Sequence, residues 1–164
     1  MPSNGTRALL KAIGIGVIAG MRSMSAPALV SNHLVRTHPK GSSDTPLKVL
    51  AYPKTATLLK GLALGEMIVD KLPVAPARIA PGPLAARIVS GALCGGVLCA
   101  AEGGRADIGA VAGGLAAIAG AYGFYHLRRN IGEESSLPDP LLGLAEDAVV
   151  IKGGLGILGE SKPS

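Results

Sequence analysis

Large aromatic side chains are nearly missing from this chain, which has one Phe, three Tyr and no Trp in 164 residues. A water-soluble core of that size normally draws on several such rings, because each buries so much apolar area. Charge is scarce as well: Asp, Glu, Lys and Arg make up 16% of the residues, against about 25% in soluble domains. Only two cysteines occur, Cys94 and Cys99, five apart in an apolar stretch. That spacing does not face itself on a helix well enough for a disulfide, so both read as small packing residues. No phosphate-cradling loop, dinucleotide fingerprint, haem motif or metal-ligand spacing is present. His33, His38 and His126 are scattered, and no GxSxG accompanies Ser23 or Ser25. The chain therefore reads as a non-enzyme with no cofactor and no metal.

What is abundant is small and apolar. Hydrophobic residues reach 48% with a mean hydropathy of +0.42, and there are 24 glycines. Interior glycine weakens soluble helices, whereas membrane helices use it for close backbone approach. Four segments carry a GxxxG pair: Gly16/Gly20, Gly61/Gly65, Gly91/Gly95 and Gly109/Gly113. The composition predicts an integral membrane protein with a lipid bilayer as its surroundings and helices packed in near backbone contact. The net charge of +5 fits an anionic leaflet. Its cations lie in the connections, with no interleaved rings on which bases could stack, so nucleic acid is not an expected partner.

In chain order, a first apolar run covers residues 8–35, with Thr6 as a candidate cap for a helix from Arg7. It contains Arg22 and then Pro27, which removes a backbone donor. The run is either one kinked span or a broken helix with an unwound centre, and unwound backbone at membrane depth survives only inside protein or beside water. Its continuation past any small-residue cleavage site, with an internal Arg, does not fit a signal peptide. A polar loop covers residues 36–54, with 47–52 expected along the interface. A second segment covers 55–72, the segment 84–101 follows a proline-rich linker at 73–83, and 106–127 is the cleanest span. A loop is expected over 130–140, and a last apolar segment over 141–159. The fold predicted is all-α, a polytopic transmembrane bundle of four to six membrane segments in a single domain, 1–164.

Displaced by 80 residues, the chain aligns with itself at Arg7/Arg87, Ala12/Ala92, Gly16/Gly96, Val17/Val97, Leu62/Leu142, Leu64/Leu144, Glu66/Glu146 and Val69/Val149. This suggests two related halves, 7–72 and 84–159, and an odd number of crossings per half would make them an inverted repeat with a central site. The matched glutamates carry most weight, since acids in apolar segments need a partner or water. The candidate site residues are Arg22, Ser23, Glu66, Asp70, Glu146 and Asp147. Arg22 is expected to pair with Glu66 or Glu146. Asp70, close to the end of its segment beside Pro73, is expected at the interface, and Asp147 is expected to point away from Glu146.

The elements GMRSMSAPALVS, GEMIVDKLP and LAEDAVV resemble an uncharacterised bacterial family of small multi-pass inner-membrane proteins, classed as a domain of unknown function. Its GxRS…P, GE…DK-P and AED elements map to Gly20, Arg22, Ser23 and Pro27; to Gly65, Glu66, Asp70, Lys71 and Pro73; and to Ala145, Glu146 and Asp147. The resemblance implies an all-helical fold and a bacterial inner-membrane address, but no activity. Two functions lead among those expected from the residues, ahead of a membrane enzyme, which would need a base and a nucleophile brought together in three dimensions. One is a transporter or channel-like carrier of a small solute or ion, with a homo-oligomer (dimer or higher) suggested by the limited interior of so short a chain. The other is a non-transporting scaffold or assembly protein whose buried charges are structural salt bridges.

Overall fold

The structure is a computed structural model that describes residues 4–37, 45–69, 80–134 and 139–159. These residues form seven helices, and no strand occurs among them: α1 (Asn4–Met21), α2 (Ser25–Thr37), α3 (Thr45–Leu50), α4 (Pro53–Val69), α5 (Pro81–Ala101), α6 (Ala106–Glu134) and α7 (Asp139–Leu158). The all-α class follows the sequence, and so does the broken first helix, which appears as α1 and α2. Among the described residues two helices are long and apolar enough to cross a membrane, at Pro81–Ala101 and Ala106–Ile131. The expected four to six are not reached on that criterion.

A three-helix core of α1, α5 and α6 holds the largest interfaces of the molecule. Glycine makes that core. A Cβ placed on Gly16 would overlap the Gly113 carbonyl, one on Gly20 the Ala117 carbonyl, and one on Gly113 the Gly91 carbonyl. The pairings show α1 running parallel to α6. Gly95 facing Gly109 and Gly91 facing Gly113 make α5 and α6 an antiparallel hairpin. Three of the four GxxxG pairs thus sit in close helix contacts. The fourth does not: no atom lies within 4 Å of where a Cβ would stand on Gly61 or Gly65.

Local chemistry sets the element ends. Pro81 opens α5 at a position where the missing N–H has no helical partner to lose, so the helix begins inside the region expected to be linker. It ends where Gly103 adopts φ +78 and the Gly104 N–H returns to the Cys99 carbonyl at 2.8 Å, a left-handed stop that glycine takes without strain. α6 runs on through 130–134, where a loop was expected. Those residues are mostly polar, with Ile131 among them, but no proline follows until Pro138, and polarity alone does not end a helix. Helix α1 starts at Asn4 rather than after Thr6. The 36–54 loop also contains more structure than expected: Leu47 and Leu50 of α3 are buried, and Ser31 Oγ donates to the Leu50 carbonyl at 2.5 Å. Leu47 and Leu50 thus join the core, while Val49 and Tyr52 of the same stretch face outward.

Around the core, α4 packs chiefly on α2, and α7 rests on α1 and α2. Large apolar side chains face outward on many of the helices, among them Leu10, Leu58, Leu64, Ile68, Val89, Val111, Leu115 and Val149.

Candidate functional site: a polar joint between two half-helices

The break at Arg22–Met24 follows from Pro27. A continuous helix would bond the residue-27 N–H to the Ser23 carbonyl, but proline has no N–H and its ring collides with that carbonyl. The ladder of α1 therefore ends with Arg22 N–H on Ile18 O at 2.9 Å, and that of α2 begins with Ala28 N–H on Met24 O at 3.2 Å. The backbone groups freed between them need other partners.

Side chains from two different helices supply these partners. Ser90, the one hydroxyl residue of α5, donates to the Ser23 carbonyl at 2.5 Å. Glu66 of α4 accepts from the freed donors: its Oε1 takes the Ser23 N–H at 2.9 Å and the Ser23 hydroxyl at 2.6 Å, and its Oε2 takes the Met24 N–H at 2.7 Å. A carboxylate borrowed from a neighbouring helix so caps α2, where the positive end of the helix dipole also favours it.

Arg22, 1% exposed, is one of the largest fully buried side chains in the molecule. Its Nη2 lies 2.6 Å from Oδ1 of Asp147 on α7. The pair is close enough for strong attraction, though not aligned as a hydrogen bond. Next to it in sequence, Glu146 points to another helix, with Oε2 3.6 Å from Nη1 of Arg128 on α6.

The structure therefore gathers Arg22, Ser23, Glu66 and Asp147 at one joint and sends Glu146 elsewhere. The expected partners are exchanged. Glu66 binds backbone and hydroxyl donors at Ser23 and Met24, and Asp147, expected to point away, pairs with Arg22. Neighbouring residues on a helix face about 100° apart, so only one of Glu146 and Asp147 can turn toward the break. Asp70 lies outside the described residues. Ser90 and Arg128 were missed, although counting four residues back from Pro27 identifies the Ser23 carbonyl as needing a donor.

The joint is at mid-height. Gly20 packs against Ala117 and Ala121 of α6, so at 1.5 Å per residue the break lies about 22 Å from the start of α6 and about 20 Å from its end. A groove of about 310 Å³ reaches the joint's edge, lined by Ser25, Asn32 and Lys60 together with seven apolar residues of α2, α4 and α7. Among the described residues no group of His, Cys, Asp and Glu could hold a metal ion. No protein-family model, curated protein or solved structure matches the chain.

Proposed function

We propose that this chain is a small multi-pass membrane protein, in the bacterial inner membrane that its sequence elements suggest, and that it acts as a carrier for an ion or a small charged solute. The carrying observation is the broken helix at mid-height, where Glu66 of α4 holds the unwound backbone at Ser23 and Met24 and Asp147 of α7 pairs with the Arg22 side chain. Discontinuous helices of this kind bind charged groups through exposed backbone and helix ends. The two acids reach the joint from α4 and α7, which pack more lightly on the core than its three helices pack on one another, so a solute that competes for either acid can shift that helix.

The 80-residue displacement supports a two-half plan. α1 ends at Met21 and α5 at Ala101, separated by that same displacement. The Lys11–Glu102 and Ser23–Ser90 contacts show those two helices running antiparallel, as inverted halves require. The outward Gly61/Gly65 ridge is available for a homo-oligomer contact in the same plan.

A second reading is favoured by the closure of the joint. Both Glu66 oxygens are engaged and Arg22 is 1% exposed, which suits a scaffold locked by structural charges. The two readings separate in proteoliposomes containing a pH-sensitive dye or a sodium or potassium indicator. The carrier reading expects flux above empty vesicles that is lost in Glu66→Gln, with that variant still monodisperse and helical in detergent. Folded wild-type protein with flux equal to empty vesicles for all three ions would favour the scaffold.

A further inference from the structure

The groove between α2, α4 and α7 carries a chemistry separate from the joint. Ala28, Leu29, Ala63, Leu64, Met67, Val150 and Ile151 form its apolar walls, and its polar lining is Ser25, Asn32 and Lys60. No acid lines it, and Lys60 has no ion-pair partner among the described residues. Asn32 makes no hydrogen bond among them either. An apolar trough with an unpartnered ammonium and an unpartnered amide toward one end complements a molecule with an anionic head, an adjoining acceptor oxygen and a hydrocarbon tail.

Geometry orders these groups. Glu66 marks the joint, and Lys60 lies six residues back along α4, about 9 Å away. Ser25 and Asn32 are seven residues apart on α2, about 10 Å, with Ser25 at the joint end. The Ser25 hydroxyl is buried without a hydrogen-bond partner and closes the inner end of the trough with a polar atom. Lys60 thus stands about 9 Å along α4 from the joint, and its long stem can carry the ammonium further toward a headgroup.

We propose that this groove is a binding site for one anionic glycerophospholipid. Lys60 holds the phosphate, Asn32 donates to an ester carbonyl just below it, and one acyl chain lies along Leu29, Ala63, Leu64 and Met67. The inference rests on the membrane placement of the proposed function and not on transport.

The test exploits the absence of tryptophan from the chain. Leu64→Trp, on the groove rim at 62% exposure, places a single fluorophore beside the site, and Val89→Trp, 66% exposed on α5, serves as a control away from the groove. Each protein is reconstituted in bilayers containing brominated phosphatidylglycerol or brominated phosphatidylcholine, and quenching gives the relative affinity of the two lipids. At Leu64→Trp the anionic lipid should be preferred about fivefold, the effect of one lysine at an anionic headgroup. The preference should vanish in Leu64→Trp/Lys60→Gln and be absent at Val89→Trp. Ile151→Trp, on the opposite wall, should repeat the result and covers the case in which Leu64→Trp fails to fold. Equal quenching by both lipids at the groove probes would mean ordinary surrounding lipid only and would overturn the proposal. Loss of the protein from membranes on carbonate extraction would instead overturn the membrane reading itself, and ion flux has no bearing on either result.

Discussion

Glu66 on α4 and Ser23 in the α1–α2 break are joined twice through one oxygen: Oε1 accepts the Ser23 backbone N–H at 2.9 Å and its hydroxyl at 2.6 Å. The carboxylate completes the helix start that Pro27 created, so the acid and the proline act as one device 39 residues apart in sequence (66 − 27). The Met24 N–H on Oε2 extends the same cap.

Glu66→Gln keeps the shape and removes an acceptor. One end of the amide presents N–H groups to a backbone N–H, leaving a buried donor unmet. A loss of about 1–3 kcal/mol is expected, read as a lower unfolding temperature in detergent. An unchanged temperature would mean that the cap is not formed in solution.

Asp147 and Glu146 are adjacent, yet their substitutions should differ. Asp147→Asn removes the carboxylate 2.6 Å from the buried Arg22 guanidinium and should destabilise by about 3–5 kcal/mol. Glu146→Gln loosens a longer, 3.6 Å contact with Arg128, whose side chain is 31% exposed, and should cost less than Asp147→Asn because Arg128 keeps water as a partner. Thermal unfolding of the two variants side by side checks the order. The reverse order would assign the joint to Glu146, as the 80-residue alignment suggests.

Arg22→Met combined with Asp147→Leu should be less destabilising than the sum of the two single changes, because the double variant leaves no isolated charge. A double-mutant cycle in urea or by calorimetry measures the coupling. Strict additivity would show that the 2.6 Å contact carries no energy.

The glycine pairs divide into used and unused. Gly113→Leu drives a side chain into the Gly91 carbonyl and should destabilise by about 1–3 kcal/mol or prevent folding altogether. Gly61→Leu meets open space and should leave the unfolding temperature of the monomer in detergent unchanged or slightly raised through helix propensity. Equal damage at both positions would contradict the packing of the three-helix core.

Ser90→Ala should cost about 1 kcal/mol by leaving the Ser23 carbonyl without its donor. Ser90→Thr, which keeps a hydroxyl, should restore most of it. Failure of Thr to rescue would indicate that the loss comes from packing.

Much of this arrangement could be read in the sequence because its causes are local. Low charge, few rings and abundant glycine gave the all-α, tightly packed bundle. Pro27 after Arg22 gave the broken helix, and the acids at 66, 146 and 147 marked the segments that reach it. Element ends were less legible at 130–134, where polar residues continue a helix, and at Pro81, where a proline opens one. Both errors took polarity or proline to be a breaker where hydrogen bonding permits helix.

The sequence by itself determined that a proline-broken helix would need donors and acceptors from elsewhere, since a missing N–H is a covalent fact. It also set the small residues that let α1, α5 and α6 approach. Tertiary structure alone decided which side chains answer that need. The rotation of α7 about its axis selects Asp147 over Glu146 for Arg22, and the placement of α4 beside α2 brings Glu66 to the Ser23 and Met24 donors. The packing of α5 puts Ser90 on the freed carbonyl. Helix rotation and neighbour choice depend on contacts summed over whole interfaces, so no single spacing in the chain encodes them.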